Sequence, residues 1–168
     1  MNFVDCLSLS SGLNPRSPRI EKSFFPVVAE KYITLHTESS QPKQWNHIQE
    51  FVALITPYLN KKNISIIELG WNDQSIPGIT SLKNITDPKQ AAYIMGNSLL
   101  HVGPENFLIQ LASFYKKPFV ALFSNTTPKH SLPTWGDDDP TSYLREIPVE
   151  SSRGKNKPSF SGNEPHKS

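Results

Sequence analysis

Between residues 31 and 124 the sequence alternates short apolar runs with longer stretches whose apolar residues recur at helical spacing. The short runs are nearly continuous in large apolar and β-branched residues, which is typical of parallel strands that are covered on both faces. Four segments have this character: KYITLHT (31–37), ISIIELG (64–70), LLHVG (99–103) and PFVALFS (118–124). Strands that are separated by helices predict an α/β fold, with a four-stranded parallel sheet and helices on both faces.

The first predicted helix begins at about Trp45, and its apolar residues are Ile48, Phe51, Val52 and Ile55. Pro57 is expected to kink or end this helix, because proline lacks the backbone N–H that a helix interior needs. Residues 71–87 are rich in Asn, Asp, Pro and Gly and are predicted to form a loop.

Asp87 and Pro88 predict the start of the second helix, since an aspartate N-cap before a proline is a favoured helix opening. This helix is predicted to run to Gly96. The third helix is predicted over 104–115, where Phe107, Leu108, Leu111, Ala112 and Tyr115 form an apolar side.

Composition indicates one globular domain and excludes several classes of protein. The chain has 168 residues, of which 36% are hydrophobic and 19% charged, and its net charge of +2 does not argue for a nucleic-acid partner. Cys6 is the only cysteine, so there is no intramolecular disulfide and no cysteine-based zinc site. The first residues have no basic region and only a broken apolar run, so we expect no signal peptide, and no apolar stretch approaches the ~20 residues of a membrane span. We therefore expect a cytoplasmic protein, and a peripheral contact with a membrane is left open.

The distribution of proline divides the chain into three parts. Most of the 15 prolines lie before residue 30 or after residue 125, so we expect irregular ends around a regular middle. We predict a connector over 1–30, a ligand-binding domain over 31–148 and a polar tail without fixed structure over 149–168.

Polar loops follow each of the four predicted strands: TESSQPK, GWNDQ, GPEN and SNTTPKH. In open parallel sheets the ligand crevice lies at the carboxyl ends of the strands, where these loops would converge. The pattern predicts a site for a small ligand without saying which ligand.

Two segments, HTESSQPKQW (36–45) and GNSLLHVGPENFLIQLASFYKKPFVALFSNTTPKHSLP (96–133), resemble a known family. In this order and spacing they are similar to the C-terminal domain of glycosyltransferase family nine, the ADP-heptose:lipopolysaccharide heptosyltransferase-like proteins. The resemblance covers roughly residues 20–135. It implies a Rossmann-like nucleotide-sugar-binding domain, the C-terminal half of a GT-B type glycosyltransferase.

The first segment offers groups suited to a diphosphate. Ser39 and Ser40 carry hydroxyls just before a helix N-terminus, and Lys43 carries a charge for a phosphate oxygen. The family places a hydroxyl residue and a lysine at the positions of Ser39 and Lys43. The alternative is a solvated loop with a surface lysine.

The second segment departs from the family pattern of an acidic residue, Ser or Thr, Gly, and a His three positions after the Gly. Glu105, Asn106, Phe107 and Gln110 stand at those places. Phe107 removes the glycine that allows a phosphate to approach the backbone, and Gln110 can form hydrogen bonds but carries no charge. As alternatives, Glu105 is a first-turn helix acid and Gln110 a satisfied buried polar group.

Weaker candidates complete the predicted site. Thr126 and Thr127 resemble the family's phosphate-side loop, with a solvated loop as the alternative. Asn72 and Asp73 are able to bind a ribose, although a turn role is favoured for both. His36 matches a family position at a strand end, where a packing histidine is the default interpretation.

The resemblance implies that the chain binds a nucleotide-diphospho-sugar for transfer of the sugar to an acceptor hydroxyl, without a metal or other cofactor. The glycan or lipid-linked acceptor and the general base would belong to an N-terminal half that this sequence does not contain, so catalytic residues are not assigned. Two alternatives stay open. One is a non-catalytic nucleotide- or glycan-binding module, which Phe107 and Gln110 favour, and the other is a truncated remnant of a transferase.

Overall fold

The computed structural model describes residues 9–12, 20–38, 45 and 47–123. Five parallel strands form one sheet in the order β3-β2-β1-β4-β5. The strands are β1 (Tyr32–Leu35), β2 (Ser65–Glu68), β3 (Thr80–Ser81), β4 (His101–Pro104) and β5 (Phe119–Leu122). The helices that connect them are α1 (Ile48–Asn60), α2 (Pro88–Asn97) and α3 (Phe107–Phe114). The predicted α/β class with a parallel, Rossmann-like sheet is confirmed.

Both faces of the sheet are covered, because successive side chains of a strand point to opposite sides. Tyr32 of β1 and Ile67 of β2 pack with buried residues of α2 and α3. Ile33 of β1 and Ile66 of β2 pack instead with the buried side of α1, which includes Val52. The sheet therefore lies between two apolar layers, as the continuous apolar runs predicted. None of the helices among the described residues is long and apolar enough to cross a membrane.

The start of α2 is fixed by side chains near Asp87. The Asp87 carboxylate accepts a hydrogen bond from the backbone N–H of Gln90 at 2.7 Å, and the Gln90 side chain accepts one from the Asp87 N–H at 3.0 Å. Pro88 occupies the first helical position, where its missing N–H leaves no bond unmade. This capping box confirms the predicted helix start.

Helix α1 does not end at Pro57, one of the two outcomes predicted for this residue; the other, a kink, stays a prediction. The helix begins at Ile48 and continues for three residues after the proline, to Asn60. Leu59 in this last turn is buried in the same apolar layer as Val52, and the Thr56 hydroxyl donates to the Val52 carbonyl at 2.6 Å. Packing of the last turn therefore outweighs the hydrogen bond that proline cannot make.

The loop predicted over 71–87 contains a fifth strand, so the expectation of four strands is wrong. Thr80 is paired with Ile67 in parallel register, and the Leu82 N–H donates to the Glu68 carbonyl at 2.8 Å. Strand β3 is only two residues long, which is too short to leave a periodic pattern in the sequence.

Helix α3 begins later than predicted. Pro104 is the last residue of β4 and pairs with Leu122 of β5, whereas the helix begins at Phe107. Asn106 sets this start, because its side-chain oxygen accepts a hydrogen bond from the Leu108 N–H at 2.7 Å.

Candidate functional site

The strand order places a topological switch point between β1 and β4. From β1 the chain adds β2 and β3 on one side, and it then returns to add β4 and β5 on the other side. In open α/β sheets a crevice forms at such a point, outside the carboxyl ends of the two strands. The loop that begins at His36 and the loop of Glu105 and Asn106 leave the sheet at this place. The described parts of the two family-like segments therefore meet at the switch point.

Glu38 connects three strand ends at this edge. Its carboxylate accepts hydrogen bonds from the backbone N–H groups of Trp71 at 2.8 Å and Asn72 at 3.0 Å, both in the loop after β2. Its main-chain carbonyl accepts a hydrogen bond from the Asn106 side chain, after β4, at 3.3 Å. Gly70 allows this approach: its φ is +147°, and a Cβ there would overlap the Glu38 carboxylate.

A charged cluster, which consists of Glu38, Glu68 and Lys83, lies beneath the loops. The Lys83 ammonium is 2.8 Å from a carboxylate oxygen of Glu68 and 3.6 Å from one of Glu38. Glu68 and Lys83 are both buried. The ammonium also donates to the Thr37 hydroxyl at 2.9 Å, to the Asn72 side chain at 3.0 Å and to the Gln74 carbonyl. One buried cation thus holds the loops after β1 and β2 together, and its charge is compensated by two carboxylates.

A neutral cluster, which consists of Thr34, His36 and His101, joins β1 to β4. The two imidazoles share a hydrogen bond of 3.0 Å, and the Thr34 hydroxyl is 2.9 Å from the other ring nitrogen of His101. Burial lowers the pKa of His36 to about 3 and that of His101 well below its usual value. Both rings are therefore uncharged at neutral pH. Gly103 makes room for the pair, since a Cβ there would overlap the His36 ring.

The described carboxylates and imidazoles at this edge are not grouped as metal ligands. Among the residues that the structure describes, no three His, Cys, Asp or Glu side chains cluster so that they could hold a metal ion. Glu38 and Glu68 are paired with Lys83 instead, and His36 and His101 with each other.

The predicted ligand-binding residues are only partly within the described structure. Ser39, Ser40, Lys43, Thr126 and Thr127 lie outside the described residues.

Glu105, Asn106 and Gln110 are described, and all three are half-buried. Asn106 caps α3 and contacts Glu38, while the Glu105 N–H donates to the Leu122 carbonyl at 3.1 Å. Gln110 lies in the first turn of α3, on the same helix that Asn106 caps. Asn106 is thus at the switch point, and ligand contacts by the three residues remain predictions.

Asn72 and Asp73 brace the loop after β2. The Asn72 side-chain oxygen accepts from the Gln74 N–H at 3.1 Å and from Lys83, and the Asp73 carboxylate accepts from the Asn84 side chain at 2.7 Å. These contacts support the turn role that the sequence favoured for both residues.

The charged cluster escaped the sequence analysis. Its signal was one acidic residue in an otherwise apolar run, Glu68 in ISIIELG, because a carboxylate in a buried strand needs a cationic partner. Lys83 follows the two-residue strand β3, so the partner could be named only once that strand was known.

Comparisons with known proteins place this fold. No family model and no curated protein matches the chain. Among solved structures, it is similar to the dodecameric iron-containing glycosyltransferase TibC from enterotoxigenic E. coli H10407, with 18% identity and a TM-score of 0.59 over 74% of this chain and 36% of TibC. TibC in complex with ADP-D-beta-D-heptose is similar to the same extent, at 17% identity and a TM-score of 0.59.

A third solved structure, ADP-heptose LPS heptosyltransferase II of E. coli, is 15% identical, with a TM-score of 0.52 over 78% of this chain and 40% of that protein. The chain thus spans less than half the length of each of these transferases. At such identities the likeness is one of fold. In fold, this chain resembles part of the heptosyltransferases, as the two sequence segments predicted.

Proposed function

We propose that this chain is the donor-binding domain of a heptosyltransferase-like glycosyltransferase, and that it binds the diphosphate of a nucleotide-diphospho-sugar between the ends of β1 and β4. The contact between Asn106 and Glu38 carries this proposal, because it brings the loop after β1 against the start of α3. The fold is similar to that of TibC, whose structure was determined with ADP-D-beta-D-heptose.

The chemistry of a diphosphate fits the groups assigned to it. Ser39 and Ser40 would donate hydroxyl hydrogen bonds, and the N-terminal end of α3 adds a partial positive charge. Lys83 is buried and already paired with two carboxylates, so it does not serve the ligand. We therefore assign the cationic contact to Lys43, on the same loop as Ser39 and Ser40.

Calorimetry with ADP, GDP and UDP tests this assignment. Lys43→Ala is expected to weaken binding by about 1.5–3 kcal/mol, because it removes one charge-assisted contact. Lys62→Ala is the matched control, since Lys62 follows α1 and lies over the Tyr58 ring, at 5.3 Å from its centre. Unchanged affinity in a folded Lys43→Ala protein would remove this lysine from the site, and no nucleotide binding by the unaltered chain would refute the proposal.

Sugar transfer, in this proposal, also needs groups outside these 168 residues. The chain would stabilise the nucleoside diphosphate as the leaving group of the transfer. The acceptor hydroxyl must also be held within bonding reach of the sugar, and this proximity lowers the barrier to reaction by up to ~7–11 kcal/mol. We expect no product when the purified chain is incubated with nucleotide-sugars and lipid or saccharide acceptors and analysed by mass spectrometry. Robust turnover by the chain alone would show that it contains a complete reaction centre.

The second candidate function is a non-catalytic nucleotide- or glycan-binding module. Phe107 favours it, because a bulky side chain, 48% exposed, begins α3 where the family pattern has glycine. The double variant Phe107→Gly with Gln110→His restores that pattern. Tighter binding of inorganic pyrophosphate, which has no base to stack on residue 107, is expected for this variant if the transferase arrangement underlies the site, and an unchanged affinity favours the module.

A further inference from the structure

We infer that Trp71 and Phe107 form an aromatic subsite for the nucleobase of the donor, an inference that rests on the proposed function. The two rings lie 6.5 Å apart between centres, with their planes inclined at 50°. Trp71 follows β2 and Phe107 begins α3 after β4, so the pair lies at the edge of the sheet where the switch point opens. Trp71 is 44% exposed and Phe107 48%, so part of each ring remains available to a ligand.

Both aromatic residues are held through Glu38. The Trp71 N–H donates to the Glu38 carboxylate at 2.8 Å. Asn106, which precedes Phe107, donates from its side chain to the Glu38 carbonyl at 3.3 Å and accepts from the Leu108 N–H at 2.7 Å. The backbone of each ring is thus fixed before any ligand arrives, which reduces the entropy lost on binding.

An aromatic face suits a nucleobase better than a sugar at this position. Every base has a flat π face that stacks on aromatic side chains without a specific hydrogen bond. A sugar needs partners for its hydroxyls, whereas the Glu38 carboxylate and the Asn106 amide already bond the protein itself, and Glu21 and Lys89 of the cleft beside Phe107 pair with each other. The chemistry of the pair therefore favours the base.

The surroundings of Phe107 leave space for such a ring. Phe107 lines a cleft of about 340 Å³ together with Ile20, Glu21, Pro88 and Lys89. This volume lies within the ~300–1,000 Å³ of small-ligand pockets. The diphosphate proposed between β1 and α3 would lie next to this aromatic pair, which is where the attached nucleoside must continue.

Binding of four probes to single variants tests the inference: ADP, UDP, inorganic pyrophosphate and a sugar 1-phosphate, all by calorimetry. Trp71→Ala and Phe107→Ala are each expected to lower the affinity for ADP and UDP by about 5- to 150-fold, which is the range for loss of one stacked aromatic ring. The affinity for pyrophosphate should not change. Trp71→Phe and Phe107→Tyr keep an aromatic face and should retain most of the affinity. Tyr58→Ala is the matched control, because Tyr58 is an exposed aromatic residue on α1.

Fluorescence gives a second measurement that does not depend on an alanine variant. ADP is expected to change the tryptophan emission of the unaltered protein more than inorganic pyrophosphate does, and this difference should be absent in Trp71→Phe. A difference that persists in Trp71→Phe would contradict contact between the base and Trp71.

The outcomes separate this inference from the proposed function. If the unaltered chain binds ADP and both alanine variants bind it equally well, the subsite is refuted while the diphosphate site stands. The base assignment is also refuted if the alanine variants lose as much affinity for pyrophosphate as for ADP, or if they lose affinity only for the sugar 1-phosphate. If the unaltered chain binds pyrophosphate but gains nothing from a base, the subsite again fails. If it binds neither nucleotide nor pyrophosphate, both proposals fail.

Discussion

The charged cluster and the neutral cluster lie under neighbouring parts of the same sheet edge, and they accommodate buried polar groups in opposite ways. In the charged cluster, Lys83 keeps its ammonium between the carboxylates of Glu68 and Glu38. In the neutral cluster, burial lowers the pKa of His36 and His101, so that two uncharged rings share one hydrogen bond. Charge compensation is needed in the first case and loss of charge in the second.

The difference follows what each cluster connects. Lys83 contacts two loops, through Thr37 after β1 and through Asn72 and Gln74 after β2, and an ammonium has three hydrogens to donate in different directions. The histidines connect two adjacent strands, where one hydrogen bond between flat rings is sufficient. Charge is thus placed where irregular backbone must be held, and neutral groups where strand pairing already fixes the geometry.

The largest effect is expected from breaking the charged cluster on one side. Lys83→Met leaves the fully buried Glu68 carboxylate without its cation, which should lower the free energy of unfolding by about 3–5 kcal/mol, measured by urea denaturation. The double variant Lys83→Met with Glu68→Gln removes the charge as well and should regain a large part of the loss. A loss below about 1 kcal/mol in the single variant would show that the pair is not the anchor of these loops.

The second-largest effect is expected from acid, which should weaken the neutral cluster. In the unfolded chain His36 becomes protonated below about pH 6.5, whereas in the folded chain it stays neutral down to about pH 3. The contribution of His36 to the free energy of unfolding is therefore fully present above pH 6.5 and is lost as the pH is lowered. At pH 5 the titration of His36 alone should lower the free energy of unfolding by about 2 kcal/mol, and the lowered pKa of His101 adds to this loss. Urea denaturation at pH 7 and pH 5 measures this difference.

Two substitutions control the pH experiment. His36→Gln should reduce the difference between pH 7 and pH 5, because it removes one titrating group. His47→Gln should leave it unchanged, since His47 is exposed. An equal pH dependence in all three proteins would exclude His36 as a source.

Gly103→Ala perturbs the neutral cluster by volume instead of by charge. The added Cβ would overlap the His36 ring and come within 2.8 Å of its carbonyl oxygen, so we expect a loss of about 1–3 kcal/mol in thermal or urea unfolding. Gly96→Ala is the matched control, because the only atoms closer to its Cβ than ordinary van der Waals contact would be those at the movable end of the Lys22 side chain. Similar losses at the two glycines would mean that the room beside His36 is not limiting.

The smallest effect is expected for a charge pair outside both clusters. The Lys89 ammonium lies 2.6 Å from a carboxylate oxygen of Glu21, and both side chains are exposed. The hydrogen bond between them lowers the pKa of Glu21 and raises the pKa of Lys89. Glu21→Gln should leave the unfolding midpoint in urea unchanged within error, since water screens such pairs. A loss comparable to that of Lys83→Met would show that burial does not separate the two kinds of pair.

The fold was predictable where the signal is local and long enough. The apolar runs identified four strands, and Asp87 with Pro88 identified the start of α2. Strand β3 was missed because two residues are too few to show a periodic pattern. The sequence also could not show that α1 continues past Pro57, because burial of Leu59 acts through tertiary packing.

For the candidate site, the sequence predicted only the edge of the sheet where it lies. Polar loops after parallel strands predicted the carboxyl edge, and the structure brings Asn106 there. Contacts such as Lys83 with Glu68 depend on strand pairing in space, which the order of residues along the chain does not reveal. The same holds for Glu38, whose partners Trp71 and Asn106 come from two other strand ends.

Strand β1 pairs with a strand that lies far along the chain, and this has a consequence for folding kinetics. Thr34 and His101 bond each other across 67 positions, whereas β1 and β2 are joined through α1 alone. Closing the longer loop costs more chain entropy, and contacts between distant residues slow folding. The crevice at the switch point has one wall from each side of this closure. If the chain binds a nucleotide as proposed, the site is not complete until β4 has docked, so the onset of binding during refolding would report the time at which the two halves of the sheet join.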